Sequence, residues 1–113
     1  MIIAVDFDNT IAITDFPRIF SPRPGVIEAL HKLRKQGHYI IVWTCRCDTD
    51  LLNAINFMLD NNIEFDRIND NHPDAVRKFG FNSRKINADI YIDDKNLEGF
   101  EGWYHVMETL ITQ

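Results

Sequence analysis

The sequence predicts an α/β domain in which a parallel sheet carries helices on both faces, and three observations predict it. Residues 2–6, 39–43 and 88–92 are short, nearly continuous apolar runs, the pattern of strands buried on both faces. Segments with apolar residues at helical spacing lie between them. The first and last of these runs each end in acids, Asp6 and Asp8 after one, Asp93 and Asp94 after the other.

Residues 11–24 are expected to be irregular, because Pro17, Pro22 and Pro24 interrupt any regular element. Over residues 25–36, Val26, Ile27, Leu30 and Leu33 fall on one helical face, and Gly37 suits the stop. Residues 39–43 form the second strand. Asp48 or Thr49 is expected to cap a helix reaching residue 60, with Leu51, Leu52, Ile55, Met58 and Leu59 inward. A short third strand is expected at 65–68. The polar loop 69–73 and a helical piece at 74–79 follow, then the fourth strand at 88–92. Residues 103–110 read as a docking helix, with an edge strand at 104–107 as the alternative. Strands and helices alternating at this spacing imply a three-layer, doubly wound, Rossmann-like sheet in one domain spanning 1–113.

The chain is long enough to close one core. A 45% hydrophobic and 26% charged composition argues against disorder. The net charge of −5 argues against a broad nucleic-acid surface. The cluster Arg77, Lys78, Arg84 and Lys85 nevertheless leaves a local basic groove open, and nucleic acid with it. No stretch approaches the roughly 20 apolar residues of a membrane helix, and the N-terminus lacks signal-peptide features, so a cytoplasmic location is expected. Cys45 and Cys47 are too tightly spaced for a relaxed disulfide, and no further ligand pair completes a zinc site, so two reduced thiols are expected.

In doubly wound sheets ligands bind beyond the carboxyl ends of the strands, where the strand order switches. Asp6, Asp8, Thr44, Asp93 and Asp94 all follow strands and should crowd that edge. Four carboxylates there repel one another and call for a cation, and oxygen-only ligands suit Mg²⁺ completed by a substrate phosphate. Asp6 is placed to attack as nucleophile, and Asp8 to act as acid and then base, a role worth roughly 10²–10⁴-fold. Thr44 and nearby N–H groups would hold phosphoryl oxygens. A lysine should neutralise the phosphate, and Lys85 is the first choice because it precedes the strand delivering Asp93 and Asp94. Arg46 is a candidate phosphate ligand or a surface salt-bridge partner. His72 lies in a loop expected at the same edge, and Phe16 and Phe20 would anchor the first loop or form a small flap.

Asp6-Phe7-Asp8-Asn9-Thr10, then Thr44 after a hydrophobic strand, Lys85, and Ile92-Asp93-Asp94 resemble the four ordered motifs of the haloacid dehalogenase (HAD) superfamily. The resemblance spans residues 1–96. It implies a Mg²⁺-dependent phosphatase working through an aspartyl-phosphate on Asp6, with Asp8 as acid/base. Metal ligands would come from the Asp6 carboxylate, the Asp8 carbonyl and the last motif, Asp94 directly and Asp93 behind it. Asn9, Thr44, Arg46 and Lys85 would contact substrate. Asp8 argues against a dehalogenase, since members with that chemistry usually lack it. Lys85 lies closer to Asp93 than in many members, which keeps Lys78 as the alternative lysine. The segment 11–24 is too short for a cap domain, which implies an open site and either a bulky phosphorylated substrate or a homo-oligomer lending a lid. Two rival readings stand beside it. One is a receiver-like signalling domain phosphorylated on Asp70; the other is a non-enzymatic module that binds a phosphorylated ligand.

Overall fold

The strand β1 (Ile2–Val5) organises the sheet, and the computed structural model describes residues 1–111 around it. Three further strands run parallel to it: β4 (Tyr39–Val42), β5 (Arg67–Ile68) and β6 (Ile90–Ile92), in the spatial order β5-β4-β1-β6. The chain therefore steps from β1 to β4 to β5 in one direction and then crosses back to lay β6 on the other side of β1. The order reverses between β1 and β6, and both of those strands end in acids. The architecture is a small α/β domain with a four-stranded parallel sheet flanked by helices, compatible with a Rossmann-like fold.

Both expected helices of the first half form, α1 (Val26–Lys35) and α2 (Asp48–Asp60). α1 starts at Gly25, whose φ of +85° favours glycine, and a Cβ there would lie 3.3 Å from both Trp103 Cβ and the Tyr104 ring. α2 is preceded by Cys47 rather than capped by Asp48 or Thr49, and no side chain closes its first turn. Its inward face also differs from expectation. Ala54 and Met58 are buried, whereas Leu52 and Leu59, seven residues apart, share an exposed stripe. α3 (Pro73–Phe79) buries no residue, and α4 (Trp103–Leu110) settles the tail as a helix rather than a strand.

The two sheet faces are unequally covered. Ile3, Val5, Ile40, Val42 and Ile92 pack into one large core with the apolar sides of α1, α2 and α4. Ala4 and Ile41 face the other way and meet only a small cluster centred on Ile86. Because Cβ atoms alternate across a strand, this division runs the length of the sheet.

Residues 11–24 are a correction. They contain an antiparallel hairpin, β2 (Ala12–Asp15) and β3 (Arg18–Pro22), with a register shift between Ile13 and Thr14. The prolines did not forbid it: Pro17 lies in the turn and Pro22 at the strand end, where no ladder donor is lost. The third and fourth strands are shorter than the 65–68 and 88–92 expected. Asp66 N and Asp89 N still donate to the Ile40 and Ile2 carbonyls at 2.9 and 2.8 Å, but the return bonds from Ile40 N and Ile2 N go to the Asp66 and Asp89 carboxylates, at 2.8 and 2.7 Å. Cys45 and Cys47 are free and exposed. Among the described residues no helix is long and apolar enough to cross a membrane.

Trp103 is fully buried at the start of α4, and its indole N–H donates to the Thr10 carbonyl at 2.7 Å. Trp103→Phe keeps most of the packing but leaves that buried carbonyl unpaired. It should lower the unfolding free energy by about 1–3 kcal/mol, read from urea midpoints at constant slope.

Candidate functional site

The backbone bond from Asp6 N to the Ile92 carbonyl, 2.9 Å, extends the β1–β6 ladder by one residue. It brings the ends of these two strands together, and with them Asp6, Asp93 and Asp94. One carboxylate oxygen from each lies within 4.8 Å of the others. Thr10 sits beneath the cluster, fully buried. Its hydroxyl donates to Asp6 at 3.1 Å, lies 3.4 Å from Asp94 Oδ1, and accepts the Asp94 backbone N–H at 2.9 Å. Asp93 accepts the Lys95 N–H at 2.9 Å, which closes the turn after β6.

Burial, the neighbouring charge of Asp93 and a carboxyl–carboxyl hydrogen bond with Asp94 push the Asp6 carboxyl up to about 7; the Thr10 hydroxyl pulls the other way. Three half-buried acids with converging oxygens are a donor set for a hard divalent cation, since hard cations of the Mg²⁺ type take oxygen ligands. The residues fit that group by chemistry.

Asp8 is not part of this cluster. Its carboxylate turns away from Asp6 and is gripped by Arg46, Nε to Oδ2 at 2.9 Å and Nη2 to Oδ1 at 2.7 Å, with the Thr14 hydroxyl donating to Oδ1 at 2.8 Å. Burial pushes the Asp8 carboxyl up, but the Arg46 and Thr14 bonds and the charges of Arg46 and Lys95 outweigh it and hold it below the usual range. Arg46 is the larger departure from expectation. It is neither a surface residue nor open to substrate, with its side chain 1% exposed. Nη1 donates to the Pro17 carbonyl at 3.2 Å and the Asp50 carbonyl at 3.4 Å, and the guanidinium lies between the rings of Phe7 and Phe16 at 5.2 and 5.0 Å. Phe16 meets the guanidinium but stays largely exposed, as does Phe20.

The other expected site residues divide between the two ends of the sheet. Thr44 stands at the carboxyl end of β4; its N–H donates to Asn69 Oδ1 at 2.8 Å, and its hydroxyl accepts from Arg46 N at 3.1 Å. Asn9 spends its side chain on Thr14 N at 3.0 Å, holding the turn into the hairpin from a left-handed φ of +59°. Lys85 Nζ lies 5.3 Å from the centre of the Tyr91 ring, two residues before Asp93. Lys78 and His72 are at the wrong end: both line a groove with Met1, Gly37 and Tyr39, beside the amino ends of the strands. His72 stacks on Tyr39 at 4.4 Å. The basic cluster does not form one groove either, since Arg77 pairs with Asp74 on its own helix, Lys78 lies against Phe79, and Lys85 lies over Tyr91. Asp70 accepts from Asn82 at 2.8 Å and Arg67 at 2.9 Å. Sequence reasoning missed Thr10 as a ligand of the acids and Lys95 as a charge beside Asp8. Thr10 stood in the first motif, four residues after Asp6, and Lys95 directly after the last, next to Asp94.

No family model matches the chain, and no curated protein does. Among solved structures, the conserved protein coded by a locus of Bacteroides thetaiotaomicron is 36% identical, with a TM-score of 0.84 over all of this chain and 93% of its own. The chain belongs to the same family as that protein. Identity at this level over the whole length extends the likeness from fold to sequence.

Two predictions follow from the charges. Asp6 titrates near 7 when folded and near 4 when unfolded, so its folded form holds the proton more tightly. Its stabilising share is complete below pH of about 4 and is lost as pH rises through about 7. In metal-free protein the Tm advantage of Asp6→Asn over wild type should therefore grow across that window, as followed by calorimetry in chelator. Arg46→Ala leaves the Asp8 carboxylate and two carbonyls without their partner. It should lower the unfolding free energy by about 3 kcal/mol in urea titrations.

Proposed function

We propose that this protein is a Mg²⁺-dependent phosphomonoesterase of the HAD type, a three-layer doubly wound domain without a cap. The observation that carries the reading is the convergence of Asp6 with Asp93 and Asp94 where the strand order reverses. Such reversal points are where α/β sheets bind ligands. The cation would be held by the carboxylates of Asp6, Asp93 and Asp94, and it supplies positive charge against the phosphoryl oxygens.

The Asp6 carboxylate attacks phosphorus, the ester P–O bond breaks, and the leaving oxygen takes a proton from Asp8. Water then gives a proton back to Asp8 and attacks phosphorus, releasing inorganic phosphate and free Asp6. Thr44 and the N–H groups after β1 and β4 hold the non-bridging oxygens, and Lys85 swings from Tyr91 to the phosphate. Asp8 carries a proton only when its pairing with Arg46 opens, because the closed pair keeps it ionised. That closed pair favours one second reading, a module that binds a phosphorylated ligand without turning it over. The receiver-like reading has less support, because Asp70 is engaged by Arg67 and Asn82.

With p-nitrophenyl phosphate and Mg²⁺, Asp6→Asn should lower kcat by roughly 10³-fold or more while circular dichroism stays native. Normal turnover by this variant would remove Asp6 as nucleophile. Phosphate binding without turnover by wild type across a panel of esters would select the binding module.

A further inference from the structure

The sheet face that carries Asp6 also carries an aromatic ledge. Side chains alternate along a strand, so Ala4 on β1 points to the same side as Ile41 on β4 and Tyr91 on β6, and continuing the alternation by one residue past each strand end sets Asp6, Trp43 and Asp93 on that side too. Two contacts accord with this: Ala4 and Ile41 share the smaller core, and the Trp43 and Tyr91 ring centroids lie 5.9 Å apart. Trp43 N donates to the Val5 carbonyl at 2.8 Å, which sets Trp43 beside Asp6. Neighbouring strands place such a pair about 5 Å apart.

This ledge is open. Trp43 is 37% and Tyr91 36% exposed, and α3 buries none of its own residues. Beyond Tyr91 lies a cavity of about 270 Å³, walled by Phe79, Phe81, Ile86 and Tyr91, with Asn71, Ser83, Lys85 and Asn87 as polar members. Lys85 Nζ stands over the Tyr91 ring, 5.3 Å from its centre. An indole flank beside the proposed nucleophile, followed by an aromatic-walled cavity with a cation at its rim, is a surface for a flat ring attached to a phosphate.

We infer that the substrate is a phosphomonoester whose leaving group carries a planar aromatic ring, stacked on Trp43 and Tyr91 while its phosphate meets Asp6. The inference rests on the phosphatase reading for its chemistry but not for its binding surface. A nucleobase and a phenol share the required chemistry, and matched pairs separate them: AMP against ribose 5-phosphate, and phosphotyrosine against phosphoserine.

In wild type the ring-bearing member of at least one pair should have the higher kcat/KM. Trp43→Ala should lower that ratio about tenfold, and Trp43→Phe should restore it. Equal turnover within both pairs by wild type, or a ratio unmoved by Trp43→Ala, overturns the inference. Binding is read separately, as quenching of tryptophan fluorescence by AMP or phosphotyrosine in wild type but not in Trp43→Phe. Quenching without turnover of any ester keeps the ring site and removes the phosphatase reading. Turnover with no quenching by either ring-bearing compound keeps the phosphatase and removes the ring site.

Discussion

The buried pairing of Arg46 with Asp8 is the contact on which the arrangement of this edge depends. One guanidinium joins the loop after β1, the hairpin turn at Pro17 and the first turn of α2, through four hydrogen bonds to four acceptors in a fixed fork. A lysine offers a point charge and cannot make the same set. Burying a charge is costly unless it is paired and hydrogen-bonded, and here the rings of Phe7 and Phe16 close over a guanidinium already satisfied at its rim. The hairpin is thus held against the sheet, although its own exposed residues Ile13, Phe16 and Phe20 bury little.

That pairing also separates two acids only one residue apart. Asp8 is drawn to a cation and stays ionised. Asp6 is left among Asp93, Asp94 and the Thr10 hydroxyl, where burial and like charge make ionisation unfavourable. Environments that push neighbouring carboxyls in opposite directions are how one fold assigns different tasks to identical side chains. The same arrangement sets the terms of the proposed chemistry, since Asp6 needs a compensating positive charge and Asp8 needs release from one.

Unequal coverage of the sheet has its own consequence. The face packed by α1, α2 and α4 carries the stability, with Trp103 reaching through to the Thr10 carbonyl behind the acids. The opposite face carries only the small cluster of Ala4, Ile41 and Ile86 and leaves the aromatic surface of Trp43 and Tyr91 open. Rigid support on one side and accessible surface on the other is the usual division for a ligand-binding edge.

The sequence by itself determined the order of the helices and of the parallel strands, because strand and helix leave different hydrophobic periods over a few residues: α1, β4 and α4 were legible in that way. It also determined which acids follow strands, and so which end of the sheet matters. What only the tertiary structure decided were distances between residues far apart in the chain. The 11–24 hairpin was hidden because prolines at turns and strand ends read the same as prolines that break strands. The partner of Asp8 lay 38 residues away, and nothing local distinguishes a buried arginine from an exposed one. Lys78 and Lys85 stand seven residues apart in sequence yet line different cavities, one beside Met1 and Tyr39 and the other beside Ile86 and Tyr91. Local pattern reports which way a side chain faces, whereas packing alone selects what it meets there.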